Sequence, residues 1–248
     1  MPRDDPEMSD KTPLVAVRDV GKSFIMYLRG GAILPVLAGL SFDLFDGECV
    51  ALTGPSGAGK SSVLRMIYGN YRCEHGQILI RSDGASIDIA RAEPRVIHHL
   101  RRRTIGYVSQ FLRTIPRVST FSIVSAAGRE AGCTPEESDT RAAELLRRLK
   151  IPERLWTLSP GTFSGGEQQR VNIARGLIGG HAILLLDEPT ASLDAANREI
   201  VVALICEAKS RGAAILGILH DRDERNRVAD RVLDISKFAA TAHASESS

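Results

Sequence analysis

Gly54-Pro55-Ser56-Gly57-Ala58-Gly59-Lys60-Ser61 stands between an apolar run, Glu48 to Thr53, and a helix-forming run, Lys60 to Tyr68. Two glycines separated by four residues and followed by Lys and Ser fit the P-loop pattern. Gly54, Gly57 and Gly59 let the backbone through Pro55, Ser56 and Ala58 turn tightly and bring the loop's N–H groups against phosphate oxygens. The helix that begins at Lys60 adds unpaired donors and a partial positive charge. Lys60 is expected to reach the outer phosphates of a nucleotide, Ser61 to ligate Mg²⁺, and Ser62 to continue the cradle.

Working outward, the chain of 248 residues suits one large domain, and a single P-loop favours one. A hydrophobic content of 43% with 25% charged residues is ordinary for a globular core. A net charge of +2 is too mild to imply a nucleic-acid partner. Cys49, Cys73, Cys133 and Cys206 lie far apart without a Cys-x-x-Cys pair, which argues against a zinc site or a disulfide framework and fits a cytoplasmic setting. Residues 1–13, rich in Pro and Asp, read as a disordered leader, and residues 239–248 as a flexible tail. No window approaches eighteen apolar residues, so no transmembrane segment is expected.

Between those ends, Leu14 to Val17 reads as a strand, with Phe24 and Tyr27 after a Gly-Lys-Ser turn. Ser41 to Phe45 alternates polar with apolar, and Gln77 to Ile80 and Ile87 to Ile89 flank Asp83-Gly84, which together suggest an antiparallel edge. Arg91 to Arg103 reads as an exposed excursion, and its run Arg101-Arg102-Arg103 as a solvated loop in preference to a phosphate or partner patch. Ala142, Leu145, Leu146 and Leu149 fall on one helical face, so a helical subdomain is expected over about residues 111–180. His181 to Leu186 and Ala213 to Leu219 are continuous apolar runs, as in parallel strands buried on both faces, with a helix over Ala195 to Lys209 between them.

Two further stretches carry chemistry. Ile183 to Leu186 delivers Asp187 and Glu188 to a strand end, where Asp187 is expected to hold the metal through water and Glu188 to orient or deprotonate an attacking water. In Phe163-Ser164-Gly165-Gly166-Glu167-Gln168-Gln169-Arg170, Ser164 and Glu167 have capping-box spacing, and the free N–H groups of Ser164, Gly165 and Gly166 form a second anion cradle. One P-loop does not need two cradles, so the second is expected to cap the γ-phosphate bound by another subunit.

Ser-Gly-Gly-Glu-Gln ahead of Leu-Leu-Leu-Asp-Glu-Pro-Thr resembles the ATP-binding-cassette ATPases over about Leu14 to Ile235. The resemblance implies an α/β P-loop NTPase fold with an antiparallel β edge and an inserted helical subdomain, ATP and Mg²⁺ as cofactors, and ATP hydrolysis in a dimer. It also implies roles: Gln110 as metal sensor and ligand, His220 as the switch histidine at the γ-phosphate, Asp194 in the loop that crosses the dimer, and Phe24 on adenine, with Tyr27 as competitor. Ser109 to Arg117, Pro152 to Trp156, Phe163 to Gly176 and His220 to Arg231 more closely resemble the PhnL-type cassettes of the bacterial carbon-phosphorus lyase system for phosphonate breakdown. That likeness implies as partners a second cassette, self or paralogue, and the soluble lyase core complex. The Gln-Phe and Leu-Pro pattern is also similar to cassettes of lipoprotein-release or macrolide exporters, and a non-hydrolysing ATP clamp is the remaining rival.

Overall fold

A computed structural model describes residues 12–112 and 116–240. The leader to Lys11, the stretch Arg113-Thr114-Ile115 and the tail from 241 lie outside the described residues. Strand β1 (Val15–Met26) and strand β2 (Ala32–Leu44) form a long antiparallel hairpin. After β3 (Cys49–Thr53) and helix α1 (Lys60–Ile67), β4 (His75–Ser82) and β5 (Ala85–Asp88) complete a four-stranded antiparallel sheet in the order β2-β1-β4-β5.

Next come α2 (Pro94–Arg103) and β6 (Ile105–Val108). A helical block follows: α3 (Thr120–Glu130), α4 (Pro135–Arg148), α5 (Glu153–Trp156) and α6 (Gly165–Leu177). The chain then returns through β7 (Ile183–Asp187), α7 (Ala195–Ser210), β8 (Ala214–Ile218), α8 (Arg222–Val228) and β9 (Arg231–Asp234). Strands β6, β7, β8, β3 and β9, in that order, form a parallel sheet.

The apolar runs are continuous because this sheet is covered on both sides. Val50 and Leu52 of β3, Ile183 and Leu185 of β7, and Leu216 and Ile218 of β8 join a core shared with α1 and the antiparallel sheet. Their alternate neighbours Cys49, Ala51, Leu184, Leu186 and Ile215 join a second core with the helical block and α7. Two-residue periodicity sends successive side chains to opposite cores, so neither set can be polar.

The expected antiparallel strands are present and form a sheet of their own. Two expectations need correction, and one strand was missed. Gly21-Lys22-Ser23 is not a turn: β1 runs through it, with register shifts against β2. β9 was not anticipated, being short and half-exposed beside β3. Arg91 to Arg103 is mostly helix, and its arginines are fasteners. Arg101 donates to the Tyr68 carbonyl at 2.8 Å, Arg102 to that of Glu130 at 3.0 Å, and Arg103 to that of Ala131 at 3.2 Å. The last two bind the carbonyl-rich end of α3, where a cation is favoured.

Candidate functional site

All five parallel strands point the same way, so the loops that leave them open on one edge of the sheet, where ligands of open α/β sheets sit. The P-loop follows β3, Gln110 follows β6, Asp187-Glu188 ends β7, and His220 follows β8. Gly59 caps α1 at φ +97°, and a Cβ there would lie 2.9 Å from Val36, so the loop packs against β2 as only glycine allows. Lys60 is buried, and its Nζ donates to the Gly54 and Pro55 carbonyls at 2.8 Å each. Ser61 Oγ donates to Asp187 Oδ1 at 2.9 Å.

Asp187 is 1% exposed and its other oxygen, Oδ2, accepts from the Tyr107 hydroxyl at 3.0 Å. Burial, then the charge of Asp187, pushes the Tyr107 phenol above its usual range, so it stays a donor. Glu188 adopts a left-handed φ of +54°, uncommon for a residue with a Cβ. That turn aims its carboxylate between two partners. Gln110 Nε2 donates to Oε2 at 3.2 Å, and His220 Nε2 lies 2.7 Å from Oε1.

The capping box expected from the spacing of Ser164 and Glu167 is present. Ser164 Oγ accepts from the Glu167 N–H at 3.3 Å, while Glu167 accepts from the Ser164 N–H at 3.0 Å. The Ser164 hydroxyl and N–H hold the Glu167 carboxyl below the usual range. Ser164 and Gly165 are exposed, and Gly166 is half-exposed. Asp194 caps α7 by accepting from the Asn197 N–H at 2.8 Å and is likewise exposed.

The structure therefore joins Lys60, Ser61, Gln110, Asp187, Glu188 and His220 at one edge. Among the described residues, no hydrogen bond or ion pair links Ser164, Gly165, Gly166, Glu167 or Asp194 to that group. Phe24 stands apart too, half-buried with its ring edge-on to Tyr71, 5.4 Å between centroids, and Lys22 5.0 Å over its face. Tyr27 is 81% exposed at the hairpin tip.

Sequence reasoning missed Tyr107, whose one signal was a phenol inside an apolar strand, where the hydroxyl needs a partner. It also missed a cluster beside His220. Thr190 donates to Glu224 at 2.8 Å, and Arg198 pairs with Glu224 at 3.0 Å and with Asp221 at 3.1 Å. Burial raises the Glu224 carboxyl against the pull of Thr190 and Arg198. These residues are scattered in sequence, and nothing in their spacing announces the contact.

The donor set fits Mg²⁺. Ser61, Asp187 and Gln110 offer hard oxygen ligands and no sulfur, and no metal-holding group of three His, Cys, Asp or Glu side chains exists among the described residues. Magnesium keeps several waters and takes the rest of its shell from phosphates, so one carboxylate and a hydroxyl are enough.

The family profile described as "ABC transporter" matches residues 37–191, from the end of the first hairpin through the Asp187-Glu188 strand. The chain belongs to the ABC transporter family. As members of that family do, the cassette binds ATP with Mg²⁺ and hydrolyses it. It is 36% identical over 228 residues to the pyoverdine export ATP-binding/permease protein PvdT of Pseudomonas fluorescens, covering 91% of this chain and 33% of that protein. It is 33% identical over 224 residues to the macrolide export ATP-binding/permease protein MacB of Escherichia coli K12, covering 90% and 33%. The cassette thus spans about a third of the length of these curated relatives. Among solved structures, the dimeric post-hydrolysis state of the ATP-binding cassette MJ0796 bound to ADP and Pi superposes with a TM-score of 0.79 at 29% identity, covering 89% of this chain and 93% of that one. A second dimeric MJ0796 structure gives 0.80 at 28% identity. No helix among the described residues is long and apolar enough to cross a membrane.

Proposed function

We propose that the cassette is the motor subunit of a larger assembly, hydrolysing MgATP at a seam between two cassettes. The observation that carries this reading is the pairing of a site already gathered at one sheet edge with a second anion cradle that is exposed and unconnected to it. In this reading the P-loop and Lys60 hold the phosphates, while Ser61, Gln110 and Asp187 hold the metal, which offsets phosphate charge. Glu188 takes a proton from water, with Gln110 and His220 orienting its carboxylate. Ser164 to Glu167 and Asp194 of the opposite cassette cover the γ-phosphate, and its loss lets the seam open. Phe24 is proposed for adenine because its ring is fixed beside Tyr71, whereas Tyr27 lacks such a support.

Two readings of the driven machine remain, each with its own support. The named relatives are export ATP-binding/permease proteins, and they favour a cassette that works on a membrane exporter from its cytoplasmic side. The comparisons back this reading better. The carbon-phosphorus lyase reading rests on the stretches outside the nucleotide motifs, Ser109 to Arg117, Pro152 to Trp156 and His220 to Arg231. Pull-down from cells grown on a phosphonate separates the two. Copurification of an integral-membrane permease supports export, and copurification of lyase subunits supports the soluble system.

A further inference from the structure

The buried metal carboxylate has a partner that the nucleotide motifs do not account for. Asp187 has two oxygens: Oδ1 takes the Ser61 hydroxyl and Oδ2 takes the Tyr107 hydroxyl. At 1% exposure an oxygen left without a donor costs the full desolvation of a charged group, so both bonds fix the plane in which the carboxylate sits. Tyr107 is itself held. Its ring lies 4.9 Å from that of Tyr68, whose ring centroid lies 4.6 Å from the Arg101 guanidinium. Arg65 donates to the Tyr71 hydroxyl at 2.8 Å. Ser61 and Arg65 are four residues apart on α1, hence on one face. Tyr107 and Arg65 line a cleft of about 490 Å³ together with Tyr71, Gln110 and Phe111.

We infer that Tyr107 is a positioning residue for the metal site: its hydroxyl sets the orientation of the Asp187 carboxylate. The inference rests on the reading of Asp187 as the metal carboxylate. In this role Tyr107 acts through Asp187. Partners of this kind around metal ligands are worth about 10–100-fold in metal affinity. Removing the hydroxyl therefore weakens the gain in nucleotide affinity that Mg²⁺ brings, without weakening the phosphate cradle.

The test is equilibrium binding of ATP to the full chain, with Mg²⁺ and with EDTA, for wild type, Tyr107→Phe and Asp187→Asn. For Tyr107→Phe the expected result is unchanged affinity for metal-free ATP and about a tenfold or greater loss of the Mg²⁺ enhancement. The melting temperature should stay near wild type, and the loss in hydrolysis should be recovered in part by raising Mg²⁺. Asp187→Asn should lose the enhancement altogether. An enhancement within twofold of wild type in a folded Tyr107→Phe, while Asp187→Asn loses it, overturns the role of Tyr107 and leaves the site reading intact. Retention in Asp187→Asn overturns the site reading itself. If Tyr107→Phe fails to fold, Tyr107→Met carries the test: about a tenfold loss of the enhancement supports the role, and an enhancement within twofold of wild type overturns it.

Discussion

His220 Nε2 and Glu188 Oε1 lie 2.7 Å apart, although 31 residues and the whole of α7 separate them along the chain, because β7 and β8 are adjacent parallel strands that end side by side. Gln110, from the strand on the other side of β7, reaches the second oxygen of the same carboxylate. A carboxylate gripped from both flanks is placed for proton transfer. Glu188→Gln keeps the hydrogen-bonding shape and removes the base. ATP affinity should stay near wild type while turnover falls by about 10²–10⁴-fold, read by steady-state phosphate release. Unaltered turnover would remove Glu188 from the mechanism.

Lys60 holds two carbonyls of its own loop, so its ammonium sits where the phosphates of a nucleotide are expected. Charge-assisted hydrogen bonds are worth about 1.5–3 kcal/mol, so Lys60→Ala should weaken ATP binding by about 10–100-fold. Calorimetric titration with ATP measures it. Equal affinity would place the phosphates elsewhere.

Gly165 stands at the exposed head of α6, and a Cβ added there meets nothing within 4 Å. Gly165→Glu should therefore melt like wild type and bind ATP normally. It should nonetheless lose dimer formation and most hydrolysis, because the new carboxylate faces the partner's triphosphate. Full activity in that variant would mean that the second cradle is ornamental.

His181 is fitted against Gly106 and Gly179, where an added Cβ would fall 2.9 and 2.3 Å from its ring. Its Nε2 lies 3.3 Å from the Arg102 carbonyl, while its enclosed Nδ1 has no partner. Burial pushes the imidazole below its ordinary pKa, against the smaller upward pull of that carbonyl. A lowered folded pKa means that the unfolded chain takes up the proton first. The neutral ring's stability is complete above the ordinary histidine range of about 6.5 and is lost as pH falls through the folded value. Thermal melts from pH 7.5 down to pH 5.5 should show a smaller fall for His181→Gln than for wild type. Parallel curves would refute the assignment.

Much of this site was legible from the chain because its parts are local. A P-loop, a capping box and an apolar strand that ends in Asp187-Glu188 each occupy a few consecutive residues, and their backbone requirements show in residue type. The strand-end positions of Gln110 and His220 showed in the runs before them, and their roles followed from the resemblance. Tyr107, Arg65 and the Thr190–Arg198–Glu224 cluster were not legible, since each depends on which strands become neighbours, and pairing order is a property of the sheet. Arg101 to Arg103 misled for the same reason: a charge run looks solvated until the α3 carbonyls that it binds are in place.

The most direct test of the two-cassette seam is the specific rate of ATP hydrolysis measured over a wide range of chain concentration, alongside sedimentation of Glu188→Gln with MgATP. The account predicts that activity per chain rises with concentration, or with addition of a paralogous cassette, and that the Glu188→Gln chain sediments as an ATP-dependent dimer. A rate per chain that is constant down to high dilution, from a cassette that sediments as a monomer with ATP bound, would contradict it.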